Sequence, residues 1–329
     1  MVEVSYQGKI NVLQDHGLAS VGPFDRAEWF TLLAESADAA PMVVLAREGN
    51  EAAALVLKEG GGKLEPLINW YAFAWRPLFS PGANRAKLLS GMAKSLKARA
   101  SRVTLWPLPD EDGSAGLLES AFRAAGWICF RSPCDVAHVL PVAGRTYAEY
   151  LTARPGALRT MLKRKTKHVQ TTINTIYQNI DWNTYEEIYR ASWKPSEGDP
   201  ALLRQFAMAE GAAGRLRLGI ARHEGRTVAA QFWTVESGTA FIHKLAHLPE
   251  AQPLSAGSVL TAALMEQVID GDGVHTVDFG TGDDSYKRDW MEAVYPRYLL
   301  DCHDPARLRA WPYILRGMAR WLASRGRSS

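Results

Sequence analysis

Residues 277–297 bring acidic, basic and aromatic side chains together directly after a short apolar stretch. Asp283 and Asp284 follow residues typical of a strand, so we expect both carboxylates at its carboxyl end, where ligands usually bind in α/β sheets. Tyr286 and Lys287 then begin a predicted helix. Carboxylate, phenol and ammonium groups in one place can exchange protons and bind ions. An ordinary capped helix start is the alternative, although a cation such as Lys287 opposes the helix dipole there.

A second stretch, residues 241–247, has the alternation of a β-strand. His243 and His247 fall on one predicted face and Lys244 on the other. Imidazole is the side chain best suited to accept a proton near neutral pH. The pattern predicts His243 as a general base and His247 as the reserve, with a hydrogen-bonded structural histidine as the alternative.

Ser255, Ala256, Gly257 and Ser258 come directly before an apolar segment with helical spacing. Small residues at a helix start leave the first backbone N–H groups accessible, and the helix dipole adds positive potential there. These four residues therefore predict a phosphate-binding turn. A simple helix cap is the alternative.

Two features of the first half of the chain recur in the second half at a constant spacing. A strand, a glycine turn and a second strand surround Arg47 and again Arg222, which is the pattern of a hairpin. A small-residue turn opens a predicted helix at Gly82 and again at Gly257. Each half reads as three strands, a helix, a strand, a helix and a strand, preceded by helical residues. The repeat predicts an α/β (α+β) fold of two tandem lobes, each a mixed sheet flanked by helices, around a shared groove.

The length and composition agree with two lobes. The chain has 329 residues, of which 47% are apolar, enough for two hydrophobic cores. We place the boundary near Gly144, which gives lobes 1–144 and 145–329. Residues 70–75 are rich in aromatics where the repeat places the polar residues 245–250, so we expect the first lobe to be catalytically inert. On a predicted strand, these aromatics would line an alkyl chain or an interface between lobes.

Four sequence motifs, in this order, resemble those of a known family. GRTVAAQ, FIHKLAH, SAGSVL and DFGTGDDSYKRDW follow one another within residues 218–290. With the element order, they resemble the GNAT acyltransferase fold and, within it, the CelD/BcsL group, a duplicated family related to the FemABX transferases. The resemblance covers most of the chain. It implies transfer of an acyl group from a thioester to an amine, in envelope polysaccharide or lipid synthesis.

The resemblance also implies roles for the residues introduced above. Acyl-CoA, or the phosphopantetheine of an acyl-carrier protein, is expected at the turn of Ser255, Ala256, Gly257 and Ser258. No metal is expected. The predicted catalytic residues, which would move protons, are His243, Asp283 and Tyr286. The predicted substrate-binding residues are Lys287, Asp284, His247, Trp193 and Gln231.

The acceptor is expected to be an amphipathic amine, with a sphingoid long-chain base, as used by a bacterial ceramide synthase, as the first choice. A polysaccharide-precursor N-acetyltransferase is one alternative. The FemABX likeness permits aminoacyl transfer from charged tRNA, although coiled-coil heptads for a long helical arm are absent from the sequence. A third alternative is a non-catalytic module that binds a lipid or a carrier protein.

Two segments carry basic, amphipathic patterns. Residues 154–168 form a predicted helix with cations on its exposed face, and no acidic residue occurs from 154 to 178. Residues 305–326 repeat the theme with apolar residues at helical spacing. Such helices suit an acidic carrier protein, coenzyme A phosphates or an anionic membrane surface. A solvated helix, or a terminal helix packed on the second lobe, is the alternative.

Net charge and cysteine content bear on location and partners. The formal charge is +3, which does not favour a general nucleic-acid binder. Three cysteines at positions 129, 134 and 302 lack metal-like spacing and leave an odd thiol, as in a reducing compartment. The first residues lack the apolar core of a signal peptide. We therefore expect a cytoplasmic protein, with the inner face of the cytoplasmic membrane as an optional position.

Overall fold

The computed structural model describes residues 1–36 and 40–325, with side chains described up to residue 320. The chain forms two compact units. The first comprises Met1–Val136 together with the chain from Tyr295 onward, and the second comprises Ala137–Val294. In this part of the chain the structure contains mixed sheets with helices packed on them, which confirms the predicted α/β fold class.

The elements from residue 216 to residue 303 follow the predicted order, whereas the first half has two additional strands, Glu3–Gln7 and Leu78–Phe79. The strands of the described residues are β1 (Glu3–Gln7), β2 (Pro41–Glu48), β3 (Glu51–Gly60), β4 (Lys63–Pro66), β5 (Leu78–Phe79), β6 (Arg102–Leu108), β7 (Ile128–Pro141), β8 (Gln170–Asn174), β9 (Leu216–His223), β10 (Arg226–Glu236), β11 (Thr239–His247), β12 (Thr276–Thr281) and β13 (Ala293–His303). The α-helices are α1 (Val12–Asp15), α2 (Ala27–Ser36), α3 (Arg85–Leu96), α4 (Ser114–Ala124), α5 (Tyr147–Thr152), α6 (Gly156–Lys165), α7 (Asn179–Ala191), α8 (Pro200–Ala212), α9 (Ala256–Glu266), α10 (Lys287–Trp290) and α11 (Trp311–Arg325). Short 3-10 helices lie at Pro23–Asp25, Thr166–His168, Pro249–Leu254 and Leu308–Ala310, and a π-helical turn lies at Gln267–Gly271.

In the first unit the strands lie in the order β1, β2, β3, β4, β6, β13, β7. β2 and β3 form the first predicted hairpin, with Val44 opposite Leu55. Both side chains are fully buried, because nearly continuous apolar runs place both faces of these strands in the core. α3 packs on this hairpin through Leu88 and Leu89.

In the second unit the strands lie in the order β7, β12, β11, β10, β9, β8. β9 and β10 form the second predicted hairpin. β11 and β12 are parallel, and their pairing runs from Thr239 opposite Thr276 to Phe241 opposite Asp278, near the start of each strand. Neighbouring residues of β10 point to opposite faces of the sheet. Phe232 contacts Trp182 of α7 on one face, and Gln231 contacts Gly257 of α9 on the other. α7 and α8 therefore cover one face, and α9 covers the other.

The last strand of each sequence half contributes residues to the compact unit built mainly from the other half. Residues 137–141 of β7 pair with β12 in the second unit. Residues 298–303 of β13 pair with β6 in the first unit. A strand needs a hydrogen-bonding neighbour but not a neighbour in sequence, so the repeat alone does not reveal this exchange. The compact units therefore differ from the predicted lobes, 1–144 and 145–329.

Residues 70–75 form a loop, so the prediction of a strand there is wrong. The indole of Trp75 is buried and donates a hydrogen bond to the Val56 carbonyl, at 3.1 Å. The ring of Phe73 packs against Phe24, with centroids 4.9 Å apart. Trp70, by contrast, is 66% exposed. Three of the four aromatics are thus buried within the first unit.

The C-terminal helix α11 packs within the first unit. Ile314 is fully buried, and Tyr313 stacks on His303, with ring centroids 5.9 Å apart. His303 lies within the predicted second lobe, 145–329, whereas Arg102, whose guanidinium lies 4.7 Å from the Tyr313 ring centroid, lies within the predicted first lobe. Leu315 and Met318 remain exposed. None of the helices within residues 1–36 and 40–325 has the length and apolar character needed to cross a membrane.

The close packing of α9 on the sheet depends on Gly219 in β9. A Cβ atom at this position would lie 2.8 Å from Leu264 Cδ1 and 3.0 Å from Leu260 Cδ1. We expect Gly219→Val to overpack this contact and lower the free energy of unfolding by about 1–3 kcal/mol. Urea denaturation measures the change. Gly8→Ala is the control, because a Cβ atom there would meet nothing within 4 Å. Equal midpoints for the two variants would contradict this account.

Candidate active site

A cavity of about 500 Å³ lies in the second unit, at the carboxyl ends of β11 and β12. The two strands pair near their starts, so their ends diverge and leave room for a ligand between them. We call this space the α9 cavity, because the first turn of α9 forms part of its wall. Leu158 and Met161 of α6 line another side. The predicted basic amphipathic helix is therefore present, and its apolar face adjoins the cavity.

The four predicted phosphate-binding residues all line the α9 cavity. Ser255 adopts a left-handed conformation with φ of 52°, which turns the chain from a 3-10 helix into α9. The hydrogen bond from the Val259 N–H to the Ser255 carbonyl, at 3.0 Å, closes the first turn. The N–H groups of Ala256, Gly257 and Ser258 precede it and have no intrahelical acceptor. The first turn of α9 therefore presents backbone donors at a cavity wall.

Gln231 hydrogen-bonds to the first turn of α9 from the buried core. Its side chain is fully buried, and its Nε2 donates to the Gly257 carbonyl and to Thr261 Oγ1, both at 2.8 Å. Gly257 is required for the close approach of β11, because a Cβ atom there would lie 3.2 Å from His247 Cδ2. Gln231 thus lies beneath the cavity wall and positions the turn.

His247 lines the α9 cavity beside Trp193, and the two rings are 4.2 Å apart. The Nδ1 atom of His247 lies 2.9 Å from the Leu248 carbonyl oxygen. A carbonyl oxygen only accepts, so Nδ1 carries the proton and the neutral ring has its lone pair on Nε2. His247 therefore has the tautomer that a general base with an Nε2 lone pair requires.

His243 lies on the opposite face of the sheet from His247, so the predicted shared face is wrong. The register between β10 and β11 shifts at Phe232 and Trp233, and this bulge interrupts the alternation of β11. The His243 ring stacks on Phe232 at 4.9 Å. Its Nε2 atom lies 2.7 Å from Thr234 Oγ1. These contacts place His243 among aromatic side chains on the α7 and α8 side.

Asp284 and Tyr286 both line the α9 cavity, together with Asp289 of α10. Tyr286 is the residue directly before α10, and its ring packs edge-on against Phe279, with centroids 5.6 Å apart. Partial burial, together with the nearby Asp284 carboxylate, raises the pKa of Tyr286 to about 12. The phenol therefore keeps its proton at neutral pH and is able to donate it.

Asp283 and Lys287 hold the shape of the turn between β12 and α10. Asp283 accepts hydrogen bonds from Arg288, at 2.8 Å to each carboxylate oxygen, and lies 3.1 Å from His138 Nε2. The Lys287 side chain is buried, and its ammonium donates to the carbonyls of Thr281 and Gly282. These hydrogen bonds fix the turn at Asp283 and at Lys287.

Two residues of this region have no signal in the sequence. His138 is fully buried in β7 and reaches Asp283 from 145 positions away in the chain. Lys194 follows α7 and lines the α9 cavity. Burial, with the positive charge of Lys244 next in importance, lowers the pKa of Lys194. Neither residue belongs to a local motif, because only the pairing of distant elements brings them to the site.

The described residues contain no group of three or more His, Cys, Asp or Glu side chains that could hold a metal ion. The polar groups at the α9 cavity include backbone donors, one imidazole, two carboxylates, a phenol, an ammonium group, the Gln252 amide and three hydroxyls. Such a set can bind an anion and move protons.

Comparison with protein families gives one match. Residues 152–288 match the model of the acetyltransferase (GNAT) domain, a region that includes the residues lining the α9 cavity except Asp289 and Trp290. This supports an enzyme of the N-acyltransferase type. A search of curated protein sequences finds no match.

Solved structures show the same fold at low sequence identity. FemX superposes with a TM-score of 0.64 and 10% identity, covering 90% of this chain and 96% of its own. L-PGS from Bacillus licheniformis gives a TM-score of 0.55 and 11% identity, covering 93% and 99%. A C-terminal domain assigned to a lysylphosphatidylglycerol synthetase of Agrobacterium fabrum gives 0.53 and 14%, covering 87% and 90%. These likenesses concern the fold.

The ionised form of Asp283 should stabilise the second unit in a pH-dependent way. Hydrogen bonds from Arg288 and then His138 hold the pKa of Asp283 below its ordinary value of 3.8. A lowered folded-state pKa adds stability that is present above the ordinary value and lost as pH falls through the folded value. We expect wild type to melt above Asp283→Asn at pH 7, with the gap closing below about pH 4.

Differential scanning calorimetry from pH 7 to pH 2.5 measures this gap. Arg288→Gln, which removes the main partner and leaves the carboxylate, should reduce the same pH-dependent component. A gap that stays constant over the whole range would show that the Asp283 carboxylate does not stabilise the turn through its charge.

Proposed function

We propose that the second unit transfers an acyl group from a pantetheine thioester to a primary amine. The observation that carries this proposal is the meeting of the first turn of α9 with His247 and Tyr286 in one cavity. Backbone N–H groups and the positive end of the helix suit the phosphates of the donor. The imidazole and the phenol supply a proton acceptor and a proton donor on the same cavity wall.

The donor is acyl-CoA or the acylated phosphopantetheine of a carrier protein. Both carry phosphate groups that fit residues 255–258. The exposed side chains of Arg159, Lys163, Arg164 and Lys167 on and after α6 add positive charge beside the cavity. That charge suits the coenzyme A phosphates and equally an acidic carrier protein.

The chemical step is a direct transfer without a covalent enzyme intermediate. His247 Nε2 takes one proton from the acceptor ammonium, and the free amine attacks the thioester carbonyl. The C–N bond forms and the C–S bond breaks. Tyr286 protonates the departing thiolate, and the second proton lost by the nitrogen passes to the Tyr286 phenolate, which restores the phenol. His247 takes the role first predicted for His243, because His247 lines the cavity.

The acceptor is an amphipathic amine, with a sphingoid long-chain base as the first choice. Asp284 and Asp289 place carboxylates in the cavity where an ammonium group binds favourably. Apolar side chains suit an alkyl chain, and Leu158, Trp193 and Leu245 supply them on the cavity wall. A position at the cytoplasmic face of a membrane would bring the enzyme to such an acceptor, and the exposed apolar side chains of α11 favour it.

A second candidate is transfer of an aminoacyl group from charged tRNA. The fold likeness to FemX and to a lysylphosphatidylglycerol synthetase domain, each over most of both chains, favours it. In that case the donor ester would replace the thioester in the same cavity.

The donor class is tested by supplying each donor to the wild-type protein with a long-chain base. We expect free thiol and an amide product from acyl-CoA or an acylated carrier protein, measured with a thiol reagent and by mass spectrometry. Consumption of aminoacyl-tRNA without thioester use would favour the second candidate. Binding of either donor without turnover would identify a non-catalytic module.

His247→Gln should lower kcat by about a hundredfold or more, because glutamine keeps hydrogen-bonding groups but is not a base at neutral pH. His243→Gln is the matched control, since the same change on the other face of the sheet removes no cavity group. We expect it to alter kcat by less than about tenfold, within the range left by lost packing. The reverse order of effects would return the base role to His243.

Tyr286→Phe should lower kcat with an alkyl thioester, because the leaving thiolate then departs unprotonated. An aryl thioester of the same acyl group has a more acidic leaving thiol and needs no proton donor. With the aryl ester we expect the variant to recover most of the wild-type rate. Its rate loss relative to wild type should be about tenfold or more smaller than with the alkyl ester. An equal loss with both esters would assign Tyr286 to binding.

A further inference from the structure

A second cavity, of about 410 Å³, lies on the other side of the sheet in the second unit. We call it the aromatic cavity, because three rings of α7 line it: Trp182, Tyr185 and Tyr189. Trp182 and Tyr185 are buried and lie 4.7 Å apart. Pro200 and Leu203 of α8 complete an apolar wall. An aromatic wall of this kind favours a ligand with an apolar or aromatic body.

The two carboxylates that line the aromatic cavity are already bound by cations. Glu186 accepts hydrogen bonds from Arg204, at 2.7 and 3.1 Å, and from the Trp182 indole at 2.8 Å. Glu197 forms an ion pair with Lys244 at 3.1 Å. Their charge is thus compensated within the protein.

Two cations of the aromatic cavity are not compensated in this way. Arg190 and Lys194 both line it, and neither forms an ion pair with a carboxylate of the described residues. Two carboxylates and two cations line the cavity. Arg204 and Lys244, which bind those carboxylates, add two further cations next to it. Lys194 is half-buried, and a charged group partly removed from water gains free energy when an opposite charge reaches it, whereas Arg190 is exposed and adds positive charge at the rim.

The charges around Lys194 also favour an anion in the aromatic cavity. The charges of Lys244, Asp284, Lys287 and Glu197 all act on the Lys194 ammonium, and neither carboxylate lies within ion-pair distance of it. Burial and the Lys244 charge lower the pKa of Lys194, so its positive charge is held at a cost in this environment. An anion in the cavity would offset that cost.

We propose that the aromatic cavity binds an organic anion, with its apolar or aromatic body against Trp182, Tyr185 and Tyr189 and its carboxylate or phosphate on Lys194 and Arg190. The site is additional to the α9 cavity, with which it shares Lys194. An anion bound here would place a negative charge beside a residue that also lines the α9 cavity.

Isothermal titration calorimetry on the full chain tests this proposal. The probes are phenyl phosphate, phenylacetate and the neutral isostere phenylacetamide. We expect at least one anion to bind about tenfold or more tightly than the amide, because a charge-assisted contact strengthens binding by that amount. The tighter of the two anions identifies the group as phosphate or carboxylate. Equal binding of all three probes, or no binding, overturns the proposal.

Variants locate the bound anion. Lys194→Gln and Arg190→Gln should each weaken anion binding about tenfold and leave amide binding unchanged. Lys163→Gln, which removes an exposed charge of α6, should leave the binding of both unchanged. Ser196→Trp, at an exposed position of the cavity wall, should block both anion and amide. Thermal melting of each variant shows that it is folded.

Gly257→Val separates this site from the proposed transferase site. It places a larger side chain at the first turn of α9, beside His247, and should reduce thioester binding while leaving phenyl phosphate and phenylacetate binding intact. Loss of the anions in Gly257→Val, with retention in Ser196→Trp, would place them in the α9 cavity and overturn the proposal. Binding is measured without turnover, so a failure of the proposed transferase reaction leaves this result readable.

Discussion

The diverging ends of two parallel strands are the constraint on which the candidate site depends. β11 and β12 share a few ladder pairs near their starts and then separate. Unpaired backbone at this point would be costly if it were buried without partners. The first turn of α9 and the turn after β12 close around the opening instead, and both turns consist of small or polar residues. The α9 cavity is the space that remains.

Both turns are held by side chains that do not line the cavity. Gln231 fixes the first turn of α9 through two hydrogen bonds in the core. Lys287, with its ammonium on two carbonyl oxygens, fixes the turn after β12. These contacts satisfy buried polar groups and give each turn one geometry. Tyr286, the proposed proton donor, therefore projects from a turn that is hydrogen-bonded to the rest of the unit.

The exchange of last strands gives each compact unit residues from both halves of the repeat. It brings residues 137–141 beside β12, and with them His138, whose ring reaches Asp283. A duplicated chain thus acquires contacts in the second unit that no single copy of the repeat contains. The polar residues that line the α9 cavity belong to the second unit. Trp75 and Phe73, at the corresponding place in the first unit, pack in its hydrophobic core.

The sequence determined the element order, the two hairpins, the small-residue turn at Ser255–Ser258 and the polar turn at Asp283–Lys287, because hydrophobic period and turn chemistry are local properties. Eight of the predicted site residues line one cavity for that reason. The tertiary structure decided which histidine reaches the cavity, because a single bulge in β11 turns His243 to the far face. It also decided the places of His138 and Lys194, since their neighbours come from elements that are distant in the chain, and sequence spacing carries no record of such pairings.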